Sequence, residues 1–352
     1  MKNYIWVALL ALFLAPVMGA KPPQGKKGAA EPPPPWAYGF LVPAGAPGDT
    51  PAASAASLLE PDDGTQRHLP GSTQAFTLTQ VRDPFGPADW YPGDHPPMPE
   101  VVSHGRKPDV GACGRCHYPN GKGRSENAGV AGLPVAYFVQ TMRDFKNGAR
   151  KSADSRKGNT KNMIDYAKAM TDAEIQAAAE YYGSMKWTPW IRVVETDMAP
   201  KTRLAFGMFL PLPGNEKEPI GHRIVEATEN GDATLTLRDP RSGFVAYVPS
   251  GSLKKGKALV TAGGEGKTTA CATCHGAELL GLGPVPGIAG RSASYMARQL
   301  YDMKVGDRNG LWTQLMKPVV AKLDNDDIVA ITAYLASLDV GGKSAAPARA
   351  AK

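Results

Sequence analysis

Cys113-Gly114-Arg115-Cys116-His117 and Cys271-Ala272-Thr273-Cys274-His275 contain every cysteine of this 352-residue chain. Both read C-x-x-C-H, the signature of covalent c-type haem attachment. Two thiols three positions apart add as thioethers to the two vinyl groups of one porphyrin, and the adjacent histidine reaches the iron. Two motifs predict two covalently bound haem c groups, through Cys113 and Cys116 and through Cys271 and Cys274. The competing chemistries of a C-x-x-C pair are a zinc half-site, a redox dithiol and a disulfide. A single zinc site with four thiolates needs no histidine after each pair, and it normally brings the pairs closer together than here.

The motifs head two copies of one module. They lie 158 residues apart, and at that offset Ala131-Gly132 matches Ala289-Gly290, Tyr137 matches Tyr295, Asp144 matches Asp302 and Arg150 matches Arg308. The offset then falls to 153, so that Ile175 matches Ile328 and Tyr181 matches Tyr334. Two copies separated by a long insert indicate duplication rather than a solenoid. Apolar spacing predicts helices over 136–147 and 294–305. Thr171-Asp172-Ala173-Glu174 is a capping box opening the last helix of the first copy, and its counterpart runs over 325–338.

The motif histidines, His117 and His275, supply one axial ligand each. The repeat selects the other from 12 methionines. Met142 aligns with Leu300, Met170 with Leu323, Met296 with Phe138 and Met303 with Phe145, which is how packing positions behave. Met163 and Met316 are methionine in both copies and are assigned as the distal iron ligands. His68, His95, His104 and His222 have no aligned histidine and are assigned to loop or surface roles.

On these residues the chain resembles a tandem di-haem class I cytochrome c. The shared pattern is C-x-x-C-H, then Ala-Gly and an amphipathic helix, then a methionine, then a closing helix. The resemblance implies small helical haem domains, His/Met iron and one-electron transfer between redox partner proteins, with no catalytic residues. It also implies that a proline carbonyl after the motif orients the haem histidine. Pro286 fits that role in the second copy. The first copy has Ala128 there, which puts the corresponding bond of His117 in question. The rival reading is a di-haem enzyme. A peroxidase needs an openable iron that two methionine-ligated haems do not offer. A sulfur-compound dehydrogenase of the related kind uses an additional cysteine ligand, and this chain has none to spare. An electron-accepting subunit of a periplasmic dehydrogenase is a further alternative.

The remaining segments complete a mainly α fold. Residues 1–20 read as a signal peptide, with Lys2 before an apolar run over 4–16, which predicts export to the periplasm; an uncleaved anchor is the alternative. Residues 21–62 form a Pro/Ala/Gly-rich arm expected to be disordered, with 36–43 apolar enough to dock. Residues 63–98 form an irregular flap near the first haem, 99–186 the first cytochrome c domain and 253–340 the second. Between the domains, 187–252 is a small β-rich insert. In it, Glu229-Asn230-Gly231-Asp232 signals a hairpin between strands over 223–228 and 233–238, with another β-like run over 244–248. Residues 341–352 are a disordered tail. No membrane span is expected in the mature chain. The formal charge of +7 suits acidic docking patches on protein partners. Nucleic acid is excluded as a target by export and by the scattered lysines.

Overall fold

The computed structural model describes residues 31–49 and 59–340; the expected signal peptide and the tail over 341–352 lie outside these residues. Each copy is built on the predicted helices. In the first, a one-turn helix over Cys113–His117 is followed by α1 (Val135–Lys146), α2 (Gly158–Ala169) and α3 (Asp172–Gly183). In the second, α4 (Ser252–Ala262) precedes a turn over Ala272–His275, then α5 (Ala293–Val305) and α6 (Asn325–Ala336). The capping box at Thr171 and Glu174 is formed, and Asp324 with Asp327 forms the same device at the start of α6. Each satisfies backbone N–H groups that a helix start leaves without partners.

The Ala-Gly pair of the repeat has a structural cause. Gly132 and Gly290 adopt φ of 69° and 66°. Their N–H groups donate to the Tyr182 and Leu335 carbonyls at 2.9 and 2.8 Å, which ties the loop before α1 or α5 to the closing helix. A Cβ at Gly290 would meet the Leu338 carbonyl at 2.9 Å, so the approach needs glycine.

The insert carries a five-stranded sheet in the order β1-β7-β6-β4-β3. Its strands are β1 (Ile191–Glu195), β3 (Thr202–Ala205), β4 (Met208–Pro211), β6 (Val225–Thr228) and β7 (Phe244–Val248), while β2 (Met198–Pro200) pairs separately with β5 (Lys217–Pro219). The expected hairpin is corrected here. Asn230 accepts from the Ala233 N–H at 3.0 Å and caps a short helix over Gly231–Leu235. The antiparallel partner of β6 is instead β7, with Val225 opposite Tyr247. Asn-Gly-Asp serves as a helix cap because the residues after it bury Thr234 and Leu235 as one helical turn.

The sheet shares a core with the second copy: Ile224, Val225, Phe244 and Val248 pack in one cluster with Leu259, Ile328 and Leu335. Glu226, fully buried on β6, accepts from Ser292 Oγ and the Ser294 N–H at the start of α5. The first copy has its own core around Val102, Met142, Ile175 and Tyr182.

The arm departs from its expected disorder. Pro35–Tyr38 is a helical turn whose Trp36, Ala37 and Tyr38 are buried. The Tyr38 hydroxyl donates to Asp302 Oδ1 at 2.7 Å, and Arg298 donates to the Ala37 carbonyl at 2.7 Å. Burying two aromatics on α5 offsets the ordering entropy of this stretch. The flap has a core of Leu69, Val81, Trp90 and Tyr91 and is tied to the insert by Trp90 Nε1, which donates to the Leu237 carbonyl at 2.8 Å.

The two copies meet about an approximate two-fold axis. Arg150 and Arg308, equivalent in the repeat, pair as an antiparallel bridge. Lys151 N donates to the Asp307 carbonyl and Asn309 N to the Ala149 carbonyl, both at 2.7 Å. Arg150 donates to the Tyr295 hydroxyl at 3.1 Å, and Arg308 donates to the Tyr137 hydroxyl at 2.7 Å. Equivalent residues thus make equivalent contacts in both directions, the isologous geometry of a duplicated module.

Burial lifts the Asp302 carboxyl to about 6, so it is ionised above that pH and its bond from Tyr38 becomes charge-assisted. Tyr38→Phe should therefore cost about 1.5–3 kcal/mol above pH 7 and nearer ~1 kcal/mol at pH 5, where Asp302 is protonated in the fold. Urea melts of both proteins at the two pH values check this; equal losses would remove the role given to Asp302.

Candidate functional site

A cavity of about 360 Å³ opens beside the first motif. Cys113, Cys116 and His117 line it together with Met163 on α2, and Val130, Leu133, Phe138 and Phe145 add apolar walls. His117 Nδ1 contacts the Ala128 carbonyl at 2.8 Å. In the second copy His275 Nδ1 contacts the Pro286 carbonyl at 2.7 Å, on the short hairpin of β8 (Gly281–Leu282) and β9 (Val285–Pro286). A carbonyl only accepts, so Nδ1 carries the proton and Nε2 is the free lone pair, the tautomer a metal ligand needs. Burial holds both imidazoles below the ordinary histidine value and keeps them neutral.

The doubt raised by Ala128 is thereby corrected. The bond uses a backbone carbonyl, which alanine presents as well as proline does.

The cysteines are unpaired, and burial pushes the Cys113 thiol up to about 12 and the Cys271 thiol up to about 11. Among the described residues no group of three or more His, Cys, Asp or Glu forms a metal site, so the two pairs do not converge on one centre. The donor set instead fits haem c: two thiols, a neutral imidazole with Nε2 free, an adjoining apolar cavity and methionine in its wall. Buried donors there also lack partners, namely Arg124 Nε and Arg82 Nε and Nη2.

Met142 and Met170 line the same cavity as Met163 but are buried in the first core. Met316 packs against the second core next to the 3₁₀ turn over Leu311–Leu315. Three of the four other histidines are engaged elsewhere: His95 Nε2 with Asp89 at 3.1 Å, His104 Nδ1 with the Ser103 hydroxyl at 2.9 Å and His222 Nδ1 with Asp326 at 3.0 Å. Sequence reasoning missed the cationic lining of the first cavity, which includes Arg82, Arg124, Lys157 and Arg298. No local pattern marks these residues; the repeat pairs none of them with a lysine or arginine in the other copy.

The two motifs differ in cover. Around the first, Pro84 of the flap accepts from the Ala112 N–H at 2.9 Å, and Arg238 of the insert donates to the Arg115 carbonyl. Around the second, Cys274 is exposed, and Leu282 (62 %), Leu311 (69 %) and Leu315 (73 %) face outward.

The cytochrome c family model matches residues 253–339. The chain is 35% identical over 238 residues to the thiosulfate dehydrogenase electron acceptor of Stutzerimonas stutzeri (strain A1501), covering 66% of this chain and 82% of that protein. It is 26% identical over 246 residues to the protein of the same name from Thiomonas intermedia (strain K12), covering 69% and 85%. It is 24% identical over 235 residues to cytochrome c4 of Stutzerimonas stutzeri, covering 65% and 85%. The chain belongs to the di-haem c-type cytochromes, proteins that bind haem c covalently and carry electrons.

Methionine ligation of ferric haem gives a weak near-infrared band. Met163→Ala and Met316→Ala should each remove one of two contributions and lower one reduction potential. Met142→Leu and Met170→Leu should keep both, because they are volume-conserving changes at packing positions. A full band in Met163→Ala together with a changed one in His95→Ala or His104→Ala would reassign the first site.

Proposed function

We propose that this chain is an exported electron carrier with two covalent haems, one on Cys113 and Cys116 with His117 and Met163 as axial ligands, the other on Cys271 and Cys274 with His275 and Met316. The observation that carries this reading is the recurrence of one hydrogen bond: each motif histidine donates Nδ1–H to a backbone carbonyl eleven residues on. Residues 99–186 and 253–340 are the two haem domains, and 187–252 braces the second. Export follows from the apolar run over 4–16 and from the extracytoplasmic chemistry that attaches haem c. When bound, haem c supplies the one-electron couple. The chain fixes the imidazoles, excludes water from the first iron site and presents the second near the surface.

The names of the relatives point to a thiosulfate-oxidising dehydrogenase as the electron donor. The exposed Cys274 and its leucine rim support exchange at the second site, and the formal charge of +7 favours a partner with an acidic surface around its own redox centre. Role as a carrier rather than an enzyme rests on the His/Met assignment at both irons.

A pyridine haemochrome assay on acid-acetone-extracted protein should give two haems per chain and no titratable thiol. One haem per chain would defeat the proposal.

A further inference from the structure

Lys157, the residue before α2, is 7 % exposed and lines the first cavity. Its ammonium makes no hydrogen bond or ion pair among the described residues. The carboxylates around it bond other cations: Glu126 Oε1 bonds Arg124 at 2.5 Å, with the buried Oε2 left without a partner, and Asp154 bonds Arg156 at 2.6 Å. Arg298 reaches in from α5 but donates to the carbonyls of Ala37 and Ser125. Arg156 is paired twice, to Asp154 and to Asp49 at 2.6 Å, and Arg298 is held by carbonyls, which leaves the buried Lys157 ammonium without a hydrogen-bonding partner among the described residues. Burial brings Lys157 down to about 7, with Arg298 adding to the effect and Glu126 and Asp154 opposing it. A buried cation without a counter-ion is costly, and an anion entering the cavity removes that cost. Haem c carries two carboxylates, the kind of group that pairs with a buried ammonium.

We propose that Lys157 is a positioning residue for the first haem: its ammonium pairs with a carboxylate of the group that fills this cavity and raises that haem's potential. The inference rests on haem attachment at Cys113 and Cys116. A fixed positive charge near the iron favours the reduced state, which is one positive charge poorer. Paired to Lys157, the carboxylate stays ionised through neutral pH, so the potential is flat there. Without Lys157 the buried carboxylate loses its partner, its proton affinity rises, and the potential falls as pH increases and the carboxylate ionises.

The test is spectroelectrochemical titration of the full haem-loaded chain across neutral pH, with haem content measured in parallel. Lys157→Met should lower one of the two potentials, leave the other in place and give the lowered one a downward slope with pH. Lys157→Arg should restore the original value and the flat profile. Both potentials unchanged in Lys157→Met, or both moved equally, would overturn the proposal while two haems per chain keep the underlying reading intact. If Lys157→Met loses a haem, Lys157→Arg decides: two haems at the original potentials uphold the charge pairing, and loss there too refutes it. Fewer than two haems in the unmodified chain would instead sink the attachment reading itself.

Discussion

The N–H of each motif histidine must point away from the iron site, and the rest of each module follows from that requirement. An imidazole free to rotate offers either nitrogen; one whose Nδ1–H is held by a carbonyl offers only Nε2. The carbonyls of Ala128 and Pro286 are held by the loop between the motif and the Ala-Gly pair. That loop is anchored in turn by the Gly132 and Gly290 N–H groups on the closing helices. Motif, loop, glycine and final helix are thus one mechanical unit, and the duplicated positions include its key members.

The same unit explains why the copies associate as they do. Each presents the turn after α1 or α5, and joining these equivalent turns antiparallel satisfies backbone groups of both. Burying arginines there would be costly in isolation. The phenols of Tyr137 and Tyr295 and the amide of Gln299 accept from both guanidiniums. Burial raises the Tyr137 phenol, but Arg308 and Arg150 outweigh it and bring it down to about 8. The interface is therefore polar and directional, suited to fixing the separation and orientation of two redox sites rather than to maximising buried apolar area.

How much of this was legible in the sequence depended on whether the partner of each residue was nearby in the chain. Cysteine and histidine spacing, the repeat and the capping box at Thr171 are local, and the structure carries all of them. The repeat also marked Arg150, Arg308, Tyr137 and Tyr295 as equivalent pairs, yet it did not show that each arginine reaches the tyrosine of the other copy. Asn230-Gly231 failed for the opposite reason: its local signal suits a hairpin turn and a helix cap alike, and strand β7, which follows it, decided between them. The arm looked unstructured because it is rich in proline, alanine and glycine, whereas Trp36 and Tyr38 become buried against the surface of α5. Lys157 carried no signal at all, since the cavity it lines is assembled from segments far apart in the chain.

An asymmetry follows from where the extra segments were added. The repeat alone would give two similar environments. The flap and the insert then close on the first motif, through the Pro84 carbonyl and Arg238, while the second keeps Cys274 and three leucines outward. Excluding water from one site lowers the local dielectric and makes each fixed charge there count for more. The ammonium proposed to pair at the closed site would thus act on its potential more strongly than the same charge at the open one. A short path between redox centres requires surface access, which in this proposal the second site offers. Duplication supplied two similar modules, and the unequal covering gives their motifs different surroundings.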